Sequence, residues 1–272
     1  MRAALLAMVV AAVASACSGR AGVALGTEYE YEEDLTLSLD GSATLVINTS
    51  IPALVALRGL PLDTDLKARA DALKEQIRTI YASDNTRVGR ISNWSRRGRR
   101  FVGIHLNVSD IRALPKTAPF SWTAYDLREE GHQVIFRQTL SKPATSGALP
   151  AGLTGDEIVA FRLHLPARIR FQNSRYLDRD ESRPAARGNI LTWEQRLRER
   201  VQGKPIAYAE DRRPDVMEVR MDRESILYRT LWLFGIAFAA ALFFIGGLIW
   251  LTIRRGGGEG DGAKGARGAV GS

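Results

Sequence analysis

Cysteine is almost missing from this chain. Cys17 is the only one in 272 residues, so an internal disulfide is excluded and a thiolate-rich metal site has too few ligands. Histidine is scarce as well. His105, His132 and His164 stand far apart, and none falls in a pattern such as H-E-x-x-H. The sequence also lacks G-x-S-x-G, a P-loop, and any G-x-G-x-x-G that follows a strand. No spacing singles out one pair among its many carboxylates as an acid and a base. These absences give a chain that is not an enzyme and needs no cofactor.

Two long uncharged runs are present, and both come out of the fold before anything else is read. At the N-terminus Arg2 precedes the uncharged stretch Ala3–Ala16, which closes on Ala14-Ser15-Ala16. A short basic start, an apolar run too short to span a bilayer and an A-x-A site make a secretory signal peptide over residues 1–16. Cys17 then becomes the first residue of the mature chain, where it is a chance residue, a free thiol or a lipid attachment point. Near the other end, Thr230 to Ile253 runs without a charge. As a helix it rises roughly 36 Å, enough for a hydrocarbon core of about 30 Å. Trp232 and Trp250 stand roughly 27 Å apart along that axis, the spacing of two interfacial aromatic belts. Residues 226–253 are therefore assigned as a single transmembrane helix.

The signal peptide orients the rest: an exported domain over 17–225 on the outer face of the plasma membrane, and a cytoplasmic tail over 254–272. The Gly-rich tail has no apolar cluster and reads as disordered. Net charge is +8 for the whole chain, and +5 for residues 18–229 with 33 basic against 28 acidic side chains. An exported, mildly basic domain meets anionic headgroups rather than nucleic acid. The Ala/Arg/Gly-heavy composition looks bacterial, which makes the sequons at Asn48, Asn93 and Asn107 incidental.

Inside the domain, period-2 alternation dominates. "DLTLSL" and "ATLVIN" flank Asp40-Gly41, a hairpin with a two-residue turn. "LDTDLKARADALKEQIRTIYAS" sets Leu66, Ala70, Leu73, Ile77, Ile80 and Tyr81 on one stripe, a helix over 64–82 capped by Asp63 or Thr64. Two more alternating pairs follow, around "SRRGRR" and around "EEG". The Pro/Gly/Ser/Thr-rich 141–156 is a loop, "EIVAFRLHLP", "NILTW" and "DVMEVRMD" are strands, and "RYLDRDESRPAARG" is a polar loop. The sum is α+β: an antiparallel sheet with an amphipathic helix packed on one face, plus the C-terminal transmembrane helix.

Three features bear on binding. Arg96, Arg97, Arg99 and Arg100 crowd one hairpin tip, either as a solvated turn or as a contact for an anionic surface. "EYEYEED" either pairs with basic residues of the domain or guards an edge strand with charge. Phe101, Phe120, Trp122, Tyr125, Phe136, Phe161 and Phe171 line one sheet face, as plain core or as the wall of an apolar pocket.

A lipoprotein-type signal, "YEYEEDLTLSLDGSATL", the amphipathic helix, "FRLHLPARIRFQNS" followed by "GNILTW", and a terminal membrane helix with a basic stop together resemble the LppM family of actinobacterial lipoproteins. One position departs from a lipoprotein signal, which favours Leu three residues before the cysteine where this chain has Ala14. The resemblance implies an α+β domain that binds or senses a lipid or glycolipid of the cell envelope, without catalysis, and an acylated Cys17. An envelope scaffold that docks another protein and holds no ligand is the alternative. On either reading Cys17→Ser should still fractionate with membranes after carbonate extraction, because one acyl chain holds far less firmly than a spanning helix. Its loss to the soluble fraction would refute the transmembrane assignment.

Overall fold

A computed structural model describes residues 28–62, 70–144, 149–178, 181–184 and 188–256. The expected signal peptide, Cys17, Asp63, Thr64, Leu66 and most of the tail lie outside these residues. The chain divides into two compact units, up to Arg223 and from Glu224.

The first unit is α+β with two sheets rather than the one expected. Strands β1 (Tyr29–Leu37) and β2 (Ala43–Ser50) form the first hairpin. Its connection is longer than a two-residue turn: Ser38 N–H bonds the Ser42 carbonyl at 2.9 Å, and Gly41 takes φ 95°. Helix α1 (Ile51–Arg58) follows without a linker. The Ser50 hydroxyl accepts from Ala53 N–H at 3.2 Å, Pro52 fits the first turn, and Gly59 ends the helix at φ 66° by donating to the Val55 carbonyl. This helix is buried on nearly every side, so it shows no amphipathic period and escapes a reading by pattern. Helix α2 (Ala70–Tyr81) is the described part of the expected amphipathic helix, and buries Leu73, Ile77 and Tyr81 in the core.

Strands β3 (Thr86–Arg96) and β4 (Arg99–Val108) meet at Arg97-Gly98, both with positive φ, in a tight two-residue turn. After two short 3-10 turns, Ile111–Lys116 and Ala118–Phe120, come β5 (Thr123–Glu130), β6 (Gln133–Leu140), β7 (Ile158–His164) and β8 (Ala167–Gln172). The stretch expected to be a polar loop holds a small hairpin, β9 (Arg175–Asp178) and β10 (Glu181–Pro184). Backbone pairing overrides its weak strand propensity there. β11 (Ile190–Arg196), the short helix α3 (Leu197–Val201) and β12 (Val216–Ser225) complete the list.

The larger sheet runs β10-β9-β11-β7-β1-β2-β4-β3 and the smaller β5-β6-β12-β8. The larger one is mixed, because β1 lies parallel to β7, with Leu35 opposite Leu163. Alternation reveals the buried face of a strand but not its partner, which is why a purely antiparallel sheet was expected. Leu35, Leu45, Ile47, Ile104 and Leu163 of the larger sheet share one core with Tyr125, Phe136 and Val219 of the smaller.

The second unit holds helix α4 (Ile226–Gly256). Over Ile226–Arg254 it is long and apolar enough to cross a membrane, with its described side chains exposed.

Gly59 tests how tightly α1 is held. A Cβ there would stand 2.9 Å from the Ala144 Cβ, at a backbone angle that L-residues resist. Gly59→Ala should cost at least about 1–2 kcal/mol. In thermal unfolding followed by near-ultraviolet dichroism that lowers the midpoint by about 2–4 °C per kcal/mol.

Candidate functional site: a buried guanidinium between two sheets

The β1 alternation points Tyr31, Glu33, Leu35 and Leu37 inward. Glu33 is a carboxylate where that pattern calls for an apolar residue, and it is 1% exposed. An isolated charge there would cost many kcal/mol, so its neighbours decide everything. Arg58, the last residue of α1, forms an ion pair with the Glu33 Oε2 atom and bonds the Tyr31 hydroxyl, which itself donates to Glu33 at 2.8 Å. From the smaller sheet, Tyr125 and Gln138 donate to Glu33 Oε1 at 2.9 and 3.0 Å. One carboxylate thus collects groups from α1 and from both sheets.

The guanidinium sits in an aromatic cage. Its carbon lies 4.6 Å from the Trp122 ring centre, 4.9 Å from Phe120 and 5.2 Å from Tyr31. One amino group also donates to the Pro119 carbonyl at 3.1 Å, so the 3-10 turn that supplies Phe120 also supplies an acceptor. Burial pushes the Glu33 carboxyl up to about 7, against the hydrogen bonds from Tyr125 and Gln138. The guanidinium in contact favours the ionised form. Burial likewise lowers Arg58 and raises Tyr81, to about 12. Arg58 Nε, Tyr81 Oη and Thr123 Oγ1 are among nine buried side-chain polar atoms with no hydrogen-bond partner among the described residues.

The sequence-predicted candidates scatter. Of the hairpin arginines, three are tied down. Arg97 pairs with Glu28 at 2.7 Å, Arg99 donates to Glu30 at 3.0 Å and to the Gly152 carbonyl, and Arg96 donates to the Tyr29 carbonyl at 2.5 Å. Arg100 also has a partner. The acidic run pairs with basic residues and does not guard an edge, since β1 lies between β2 and β7. Phe120, Tyr125, Phe136 and Phe161 are core, Trp122 packs against it, and Phe101 is buried on the opposite face of the sheet against Trp94. Phe171 lies under the Arg220 guanidinium at 5.4 Å. Pattern reading missed Glu33 and Arg58; the available signal was an inward-facing acid in an otherwise apolar register.

No family model and no curated protein matches the sequence. Among solved structures, the NMR structure of the folded domain of Mycobacterium tuberculosis LppM overlays with a TM-score of 0.36 at 14% identity. The match covers 75% of this chain and 95% of that one. A likeness of that degree carries no argument about fold or function.

Removing one partner of the buried pair should be far worse than removing both. Arg58→Met strands the Glu33 charge and should cost about 3–5 kcal/mol, of which Glu33→Gln added in the same chain recovers a part. The sign with pH follows from the raised carboxyl. Below the unfolded value of 4.5 both states are protonated, and the penalty grows as pH rises toward the folded value of about 7. The Arg58→Met protein should therefore be more stable at pH 5 than at pH 8 in denaturant titrations, and the double variant should lose that slope.

Proposed function

We propose that this chain is a membrane-held, extracytoplasmic binding domain that takes up or senses a lipid or glycolipid of the cell envelope, without catalysis. The observation that supports it most directly is the interior around Arg58. Apolar and aromatic walls surround a few polar groups there, among them the guanidinium itself, whose Nε has no hydrogen-bond partner among the described residues, and the nearby Tyr81 hydroxyl. An amphiphile needs that combination: an apolar surround for its chain and a small number of fixed polar atoms for its head. In this reading α2 covers one face of the larger sheet and moves to admit the ligand. Helix α4 spans the membrane, the domain stands on the outer side, and an acyl group on Cys17 adds a second tether. Arg96, Arg97, Arg99 and Arg100 then approach anionic headgroups only by giving up the partners they now hold.

One observation favours the alternative, an envelope scaffold that binds a protein and holds no small ligand. Leu73, Ile77 and Tyr81 of α2 are fully seated in the core, at most 2% exposed. A closed interior of this kind supports a docking module as well as an empty receptor.

Mass spectrometry of lipids extracted from the full chain, purified from its own membranes, separates the two. The lipid reading expects one lipid class enriched over the bulk membrane, and its loss from a folded Tyr81→Phe variant. Lipid recovered only in bulk-membrane proportions, unchanged by the variant, would favour the scaffold.

A further inference from the structure

The β3–β4 hairpin closes one side of the larger sheet, and its composition is one-sided. From Thr86 to Val108 it carries six arginines and no aspartate or glutamate. The acids that answer them come from other segments and gather at the tip, where Glu28 holds Arg97, and Glu30 and Glu157 hold Arg99. Further along β3, Arg87 and Arg90 are exposed and form no ion pair among the described residues. Their surroundings do not offset them. β2 has no charged residue, so the nearest acids across the sheet are Glu32 and Asp34 of β1, about 14 Å from β3 and held by Arg162. α2 is balanced, with Asp71 and Glu75 against Lys74 and Arg78, and Asp110 is held by Arg112. Asp84, in the turn before the strand, stands alone against Arg87 and Arg90.

β3 is also the last strand of its sheet, with β4 as its one neighbour. Alternate residues of such a strand turn N–H and C=O groups outward. Among the described residues, the backbone of residues 87–96 bonds to no element but β4. The side chains are unfinished in the same direction. Val88 and Ile91 lie opposite Leu106 and Ile104, which are 1% and 0% exposed, yet both remain only partly buried. Arg87 lies on the other face, opposite the exposed Asn107, and the bulge between Val88 and Ile91 sets Arg90 there too, against His105. A cleft of about 540 Å³ opens between the end of α2 and the start of this strand.

These features select the occupant. An anionic polymer or lipid would satisfy the arginines but not the row of amides and carbonyls. A second copy would satisfy the row, but β3 against β3 sets arginine beside arginine, and the bulge adds to that guard. We infer that β3 is a docking edge for an extended acidic segment of another protein, which adds a strand to the larger sheet. Its carboxylates lie over Arg87 and Arg90, and its apolar side chains cover Val88 and Ile91. This goes beyond the lipid reading, since neither the Arg58 interior nor an acyl chain takes part.

The probe is a short acetylated peptide that alternates glutamate with valine. It is titrated into the full chain in phosphatidylcholine nanodiscs and followed by amide resonances and hydrogen exchange. The β3 amides should shift saturably and exchange more slowly. The same peptide with lysine for glutamate should not bind. Nor should the acidic peptide N-methylated throughout, which keeps its charge and loses its N–H groups. Arg87→Gln/Arg90→Gln should weaken binding by about two- to tenfold. Arg87→Glu/Arg90→Glu should reverse the preference to the lysine peptide, which a change in folding alone would not produce. Tyr81→Phe should leave peptide binding unchanged. No binding of the acidic peptide, equal binding after N-methylation, or an unchanged preference in the glutamate variant overturns the proposal. So does slowed β3 exchange that rises with protein concentration in the absence of peptide, the mark of pairing with a second copy. None of these outcomes touches the lipid reading, which stands or falls on the extracted lipid.

Discussion

Glu33 and Arg58 hold opposite charges in a place that water does not reach, and the rest of the domain is arranged so that neither is left alone. The carboxylate comes from the central strand of the larger sheet, the guanidinium from the end of α1, and the completing hydrogen bonds from Tyr125 and Gln138 of the smaller sheet. A buried pair of this kind adds little net stability compared with an apolar pair of the same volume. What it adds is registry: the two sheets satisfy the carboxylate only in one relative position. The aromatic cage of Tyr31, Phe120 and Trp122 extends that constraint to the segment between β4 and β5.

A second set of charges does related work at the edge. Glu28 and Glu30 at the start of β1 take up Arg97 and Arg99 from the β3–β4 turn, and Arg99 also reaches the Gly152 carbonyl. Three segments distant in sequence are thereby clasped at one corner. The Arg97–Glu28 pair is solvated and contributes modestly, whereas Arg99 and Glu30 are largely buried, and breaking their pair would strand a charge. Their value lies in holding the first strand of the domain at its outer end, while Glu33 holds it at the middle.

Much of this fold is legible from residue order. Alternation locates the strands from Tyr29 to Leu140 and those near Ile158, Ile190 and Val216, and the stripe through Leu73, Ile77 and Tyr81 locates α2. The misses share a cause: they depend on partners far away in the chain. α1 is apolar on almost every side because other elements enclose it, and β9 and β10 are strands because they pair with each other. The candidate site was hidden for the same reason. "EYEYEED" looks like a solvated acidic run; the alternation through Leu35 and Leu37 turns its sixth residue, Glu33, inward, but nothing local tells that Arg58 waits there or that Glu32 and Asp34 turn out to meet Arg162. The arginine-rich turn showed the opposite difficulty: its charge was plain, but the acids that occupy it were not.

The parallel seat of β1 beside β7 has a consequence for the order of events during folding. On a chain that emerges N-terminus first, β1 and β2 can zip together at once, yet the other edge of β1 stays open until Ile158–His164 arrives. Closing a connection of well over a hundred residues is slow compared with any hairpin in the molecule. Through that interval the edge of β1 is a bare row of amides and carbonyls, the kind of surface that invites pairing with another chain. Its side chains are then unusually apt: Glu32 and Asp34 project from the strand as unpaired negative charges until Arg162 arrives with β7. The same acids that later fasten the sheet would keep two half-formed copies apart.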